Sequence, residues 1–448
     1  MKPILIVSAV LLLMAGAASA QRVLQQYVKL GLNSNLALQR QEFNLQKAQL
    51  DLKRARALFF PQAGLNAQYM LASGGRTQDI PVGDLLNNVY ATLNQLTATD
   101  KFPQVANQSI QFLPNDFHDT RLELTLPVVN MDIRHNKVIK EELIHTQQAE
   151  IDTYKRELVK TIKTAYYQYL QAGKAVEIYN NALALVNENL RVSNKLFENN
   201  MTTKETVLRA QAQVSQVKAS LIAANNQQQN ALAYFNFLLN RPLNAAVIID
   251  SSITDHVNTF VHVSLDVPVQ REELAKLKSA LKANATAIKM NRDYLIPKLN
   301  AFYNIGFQGF GFRFNGYQFY QMGGLQLRWD LFRANDNKYK IRQSELELEA
   351  LNNQYKDTEQ QLTLQVRTAF NDYRSAVQSL EALRDEVQSS QETYRLTERR
   401  FREGQALQIE LIDARSQLTN AQLKYSLAQL AVLTRTAELE RVTASFSF

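Results

Sequence analysis

Glu410 and Asp413 stand three residues apart, which puts two carboxylates on one face of a helix. There they can attract cations, or simply meet the positive end of the helix dipole. Little else in the chain has the residue types and spacing for chemistry. The histidines are scattered, with His256 and His262 in a linker, and no HExxH, phosphate-cradling glycine loop or nucleophile elbow occurs. Cysteine is absent, which excludes a disulfide framework, a thiolate metal site, a cysteine nucleophile and a lipid carried on cysteine. The expectation is a protein without catalytic, cofactor-binding or metal-binding residues, hence not an enzyme.

The elements that must position the acidic pair are long helices. Among 448 residues there are only 14 Gly and 9 Pro, leaving uninterrupted segments rich in Gln, Ala, Leu, Glu and Lys. The formal charge of +8 is spread along these segments, which reads as a solvated surface and not as a nucleic-acid site. Lys2, the apolar run Ile4 to Leu13 and Ala18-Ser19-Ala20 have the layout of a cleaved signal peptide over residues 1–20.

A duplication orders the rest. At a shift of 204 residues, Lys163-Thr164-Ala165-Tyr166 pairs with Arg367-Thr368-Ala369-Phe370, and Val207-Leu208-Arg209-Ala210 with Leu411-Ile412-Asp413-Ala414. The heptad series Tyr169, Val176, Leu183, Leu190, Phe197 has its counterpart in Tyr373, Leu380, Val387, Tyr394, Phe401. A second series, Ala165, Ala172, Tyr179, Val186, lies four residues earlier, completing the 3/4-spaced stripe of coiled-coil packing. The first repeat, 21–240, reads as helix 22–58, strands at about 62–70 and 119–129 separated by a loop over 71–117, long helix 132–198 and helix 204–239. An inter-repeat linker, 241–270, has Ala246–Ile249 and Thr259–Val267 as candidate short strands. The second repeat, 271–448, reads as helix 271–295, strands at about 298–308 and 319–330, long helix 334–403 and helix 407–441. Each long helix would be a rod of ~100 Å.

Between the helices the hydrophobic period changes to two. Ala63, Leu65, Ala67 and Tyr69 alternate with Gln62, Gly64, Asn66 and Gln68, and the other three strands show the same pattern. Strands of about ten residues, apolar on one side and polar on the other, suit a transmembrane β-barrel. Four cannot close one, and an open edge is not tolerated in lipid, so the chain must oligomerise if they are membranous. Dimers would give eight strands, too narrow for a water-filled lumen, whereas trimers give twelve.

On these features the chain resembles the TolC family of outer-membrane efflux and secretion channels. The most specific segment is Phe401-Arg402-Glu403-Gly404-Gln405 followed by Ile409-Glu410-Leu411-Ile412-Asp413-Ala414, similar to the family's turn at the periplasmic tip. The resemblance implies a mainly α chain with a transmembrane β part, forming a homotrimer with a 12-stranded β-barrel continuous with a periplasmic α-helical barrel. It implies outer-membrane lipid around the barrel, and a periplasmic adaptor (membrane fusion) protein and an inner-membrane pump as partners. Loop 71–117 would then face the exterior. The alternative, a periplasmic coiled-coil adaptor or structural scaffold, leaves two equivalent pairs of alternating strands unexplained.

By the same likeness Glu410 and Asp413 match acidic positions at the periplasmic pore constriction, with Thr206 and Arg209 at the corresponding places in the first repeat. The tip turns, candidates for adaptor contact, are Asn199, Asn200, Met201 and Thr202 in one repeat and Glu403, Gly404, Gln405 and Ala406 in the other. Asn200 departs from the glycine usual in the family, so the first tip is expected to differ in shape. Ala406 stands where a basic locking partner is expected, and Lys204 and Glu205 are the available substitutes.

Overall fold

The structure, a computed structural model, describes residues 23–250, 253, 271–446 and 448. The expected signal peptide, the candidate strand Thr259–Val267, His256 and His262 lie outside the described residues. The chain divides into two units, one of residues 50–140 and 284–345, the other of residues 1–49, 141–283 and 346–448.

The smaller unit is built on four antiparallel strands, β1 (Gln62–Met70), β4 (Phe117–Val129), β5 (Lys298–Phe310) and β6 (Phe319–Arg328), in the order β1-β4-β5-β6. Their register puts Leu65 beside Leu122, Leu122 beside Ile305 and Ala301 beside Leu325, so the alternating apolar residues share one face across all four strands. That face is open: Leu65 is 76% exposed, Leu325 68% and Leu327 61%. On the opposite face the two central strands bury Asp119 and Asn304, while the polar residues of β1 are exposed. Gly306 allows the close pass there, since a Cβ would stand 2.2 Å from the Thr120 carbonyl oxygen. At the β5–β6 turn, His118 is fully buried beneath Phe312 and Phe314, and its Nε2 lies 2.9 Å from the Arg313 carbonyl and 3.0 Å from Gln318 Oε1.

The segment read as a loop over 71–117 is folded. It contains β2 (Thr77–Ile80) paired with β3 (Gln108–Gln111), and between them α3 (Val82–Thr97). Asn87 and Asn94 of α3 exchange hydrogen bonds with the backbone of Val105 and Phe102, holding the return segment to the helix. β4 then begins at Phe117, two residues before the strand expected there.

The larger unit is helical. Residues 23–34 form α1, and α2 (Leu36–Ala57) follows after a one-residue break. The expected unbroken helix stops at Asn35 because its side chain has other work: Oδ1 caps the Leu38 N–H at 3.0 Å, and Nδ2 donates to the Leu238 carbonyl at 3.2 Å. The remaining helices, of which α4, α6 and α7 have one end in the smaller unit, are α4 (Met131–Glu198), α5 (Lys204–Leu238), α6 (Glu272–Arg292), α7 (Asp336–Arg402) and α8 (Gln408–Val442). α6 ends earlier than the helix expected to 295, passing into a single 3-10 turn at Asp293–Leu295.

One core joins Tyr27 and Val28 of α1, Leu38 of α2, Ile162 and Tyr166 of α4 and Phe235 of α5. A second joins Val366, Ala369, Tyr373 and Leu380 of α7 to Ala428, Val432 and Leu439 of α8. Fully burying such side chains contributes about 1.5–3 kcal/mol each, enough to fix which helix faces pair. Residues 246–249 form no strand; instead the Tyr27 hydroxyl accepts from the Ile248 N–H and the Tyr166 hydroxyl donates to its carbonyl. Burial pushes the Tyr166 phenol up to about 12. At the α6 start, buried Arg271 donates to Glu273 at 2.6 Å and to the carbonyls of Arg441 and Val442, tying α6 to α8.

Candidate functional site

Two helix reversals in the larger unit carry the tip residues. In the first repeat the Asn200 N–H donates to the Phe197 carbonyl at 2.9 Å and the Met201 N–H to the Leu196 carbonyl at 2.8 Å. In the second, Gly404 donates to Phe401 at 3.0 Å and Gln405 to Arg400 at 2.8 Å. Both are Schellman turns, with Asn200 at φ 57° and Gly404 at φ 73° in the left-handed region. The difference in shape expected from asparagine is therefore absent from the backbone, because asparagine tolerates that region second only to glycine.

Helix α8 leaves its turn with Glu410 at the third helical position, where the carboxylate accepts the Leu407 N–H at 3.1 Å. This is half of a capping box, since the Leu407 side chain has no acceptor to return. Arg400 lies 3.8 Å from the same carboxylate, with both side chains substantially exposed. A basic partner thus comes from the end of α7 and not from position 406. Asp413, exposed, accepts from Gln417 at 2.8 Å.

The corresponding first-repeat residues are bonded within their own hairpin. Thr202 donates to Thr206 at 2.9 Å, and Arg209 pairs with Glu205 at 2.6 Å. Glu205 is thereby engaged along α5. Met201 is among the exposed large apolar residues, and Asn199, Glu403 and Gln405 are exposed with it; Thr202 and Ala406 are half-covered. Reading the sequence alone missed the contact that joins the two hairpins, Gln408 Nε2 donating to the buried Ser193 Oγ at 3.0 Å, and the one within the second hairpin in which Arg415 of α8 lies over the Tyr394 ring of α7 at 5.1 Å. Their pairing carries no sequence signal, although Tyr394 belongs to the heptad stripe and Ser193 continues the series Ala165, Ala172, Tyr179, Val186.

The site has no constellation for bond chemistry. No group of three or more His, Asp or Glu able to hold a metal ion occurs among the described residues, and no described helix is long and apolar enough to cross a membrane. What the elements offer is two paired helical hairpins ending in polar, carboxylate-bearing turns, and a sheet with an uncovered apolar face.

Residues 266–445, which include the second turn and both carboxylates, match the family described as outer membrane efflux protein. Over that segment the chain carries the family's pattern, and as a whole it is similar to TolC-like outer-membrane factors. It is 23% identical over 333 residues to the alkaline protease secretion protein AprF of Pseudomonas aeruginosa, covering 72% of this chain and 69% of that protein. It is 19% identical over 433 residues to the outer membrane protein TolC of Salmonella enteritidis, covering 93% of this chain and 82% of that one. The fold is that of the crystallised CusC, with a TM-score of 0.77 at 14% identity over 94% of this chain and 92% of CusC. TolC-like factors of this family are outer-membrane channels, and this chain is an outer-membrane channel subunit.

Proposed function

We propose that three copies of the chain close a twelve-stranded barrel in the outer membrane and a helical tunnel in the periplasm, forming a passive duct. One observation carries this reading. The four-stranded sheet gathers its alternating apolar residues on one face, where Leu65, Leu325 and Leu327 are largely exposed, and β1 and β6 have no further strand beside them among the described residues. In water such a face and two such edges invite aggregation. In lipid the apolar face is solvated, but both edges must be paired, and pairing β6 of one copy with β1 of the next does so.

Nothing at the site supplies energy, so transport requires an inner-membrane pump, joined through a periplasmic adaptor docking near Asn199–Thr202 and Glu403–Ala406. In the trimer Glu410 and Asp413 place six carboxylates around the entrance, with Thr206 and Arg209 between them. The reading spans small-molecule efflux and polypeptide secretion, since one relative is named for protease secretion and the family for efflux. A periplasmic adaptor or scaffold would require the apolar sheet face to be buried on a partner. Fractionation tests the proposal: the protein should appear in the outer membrane, need detergent for extraction and run as a heat-modifiable trimer. A salt-extractable periplasmic monomer would overturn it.

A further inference from the structure

The hairpin of β1 and β4 does not end with the four-stranded sheet. Beyond the Met70–Phe117 pair, Asn115 Oδ1 accepts the Ala72 N–H at 3.0 Å, β2 pairs with β3 from Thr77–Gln111 to Ile80–Gln108, and α3 closes the far end. The hairpin of β5 and β6 turns over residues 311–318 alone. One hairpin of the two therefore carries a helix on a two-stranded stem, at the end of the sheet away from its junctions with α2 and α4.

α3 is held to its own chain by one side only. Asn87 and Asn94 bond the return segment, the Tyr90 ring lies 5.9 Å from that of Phe102, and a Cβ on Gly83 would stand 2.4 Å from the Val105 carbonyl oxygen. The apolar residues form a different stripe, Val82, Leu85, Val89, Leu93 and Leu96, at spacings of three and four. It is open to water: Leu85 is 68% exposed, Val89 52% and Leu96 77%. An amphipathic helix with its apolar stripe uncovered is incomplete in a single chain.

The residues themselves select the occupant. A helix that lies on a lipid surface carries basic side chains along its polar face, whereas the one charged residue of α3 is Asp84. A stripe spaced by threes and fours is instead the self-complementary pattern of helices that pack on copies of themselves. The root of the stem points the same way, because β1 is an edge strand, so that in the duct reading each seam between copies bears one α3. Reach permits the contact. Twelve strands ~4.8 Å apart and tilted ~40° close a ring of radius ~12 Å, while the 16 residues of α3 span ~24 Å. Three such helices rooted on the rim can meet on the axis.

We infer that the α3 helices of three copies pack on one another through this stripe and form an apolar cap across the outer mouth of the duct. The inference rests on the duct reading. Gly74 and Gly75, at φ 75° and 96° at the foot of the stem, have no side chains to restrain it and let the cap swing clear when the duct conducts.

The chain has no cysteine, so single cysteines report the packing of the full-length protein directly. In V89C the stripes should bring sulfur atoms within disulfide range, and mild oxidation should link about two of every three chains, the limit for one residue per copy on a three-fold axis. L96C on the same stripe should behave alike, and A91C on the opposite side of α3 should stay unlinked. In planar bilayers the oxidised V89C trimer should lose its current and regain it on reduction. Linking of A91C as readily as V89C, a trimer in which neither V89C nor L96C links (as when the stripe lies in the outer leaflet), or linking that leaves the current unchanged would overturn the cap and leave the duct standing. Protein that does not run as a heat-modifiable trimer would overturn the duct reading itself, and the cap with it.

Discussion

Gly404 and Asn200 do one job with two side chains, and the difference between them is measurable. Each accepts a left-handed φ so that two carbonyls of the preceding helix are bonded before the chain reverses. Gly404→Ala puts a Cβ into that conformation at a cost of about 1–2 kcal/mol, whereas Asn200→Gly should be neutral or slightly stabilising. Thermal unfolding of the two variants decides this, and equal destabilisation by both would mean that the turns do not control the tip. The left-handed turn was legible in the sequence, since Gly404 and Asn200 occupy matching places at a shift of 204 residues. The partners of the acidic pair were not. Arg400 reaches Glu410 across the turn, and Gln408 reaches Ser193 across the two repeats, pairings set by how the hairpins pack and not by local spacing.

Elements whose periodicity is sustained were readable for the same reason that they are stable. The alternation at 298–308 falls within β5 because every second residue is set on one face for more than ten residues. Between Leu71 and Phe117 the strands β2 and β3 have four residues each, too few for a period of two to stand out against three prolines, so a folded segment read as a loop. The break at Asn35 has no glycine or proline to announce it and is fixed by a bond to α5. On the sheet, Leu122 lies mid-strand on the apolar face, and Leu122→Arg should cost about 2–4 kcal/mol and abolish insertion into vesicles, while the neighbouring Glu123→Gln on the polar face leaves it intact. Insertion of both would contradict the assignment of faces.

At the junction of α6 and α8, burial alone would raise the Glu273 pKa, but hydrogen bonds and charge from Arg271 hold it below the ordinary value of 4.5. Glu438 is likewise lowered against burial by Arg441. A depressed carboxylate stabilises the fold fully above its unfolded value, and that stability is lost as pH falls through the folded value. The melting temperature should therefore hold down to about pH 4.5 and fall below it, more shallowly in Glu273→Gln. A variant with the wild-type slope would remove this pair from the acid response.

For the whole molecule, the duplication has a consequence for assembly. In the proposed trimer, two similar repeats in each of three chains would supply six similar units around one axis, and the sheet edges at β1 and β6 the means of closure. Where the repeats differ, function should differ: Glu410 and Asp413 against Thr206 and Arg209 at the proposed entrance, and the folded segment 71–116 in only one hairpin. The measurement that bears most directly on a passive duct is ionic current through purified protein in a planar bilayer, with no pump or adaptor present. Stepwise, cation-preferring currents are expected, with the preference reduced and trimer assembly kept in E410Q/D413N. A protein that reaches the bilayer as a trimer and passes no current, or whose selectivity ignores both carboxylates, would contradict the account.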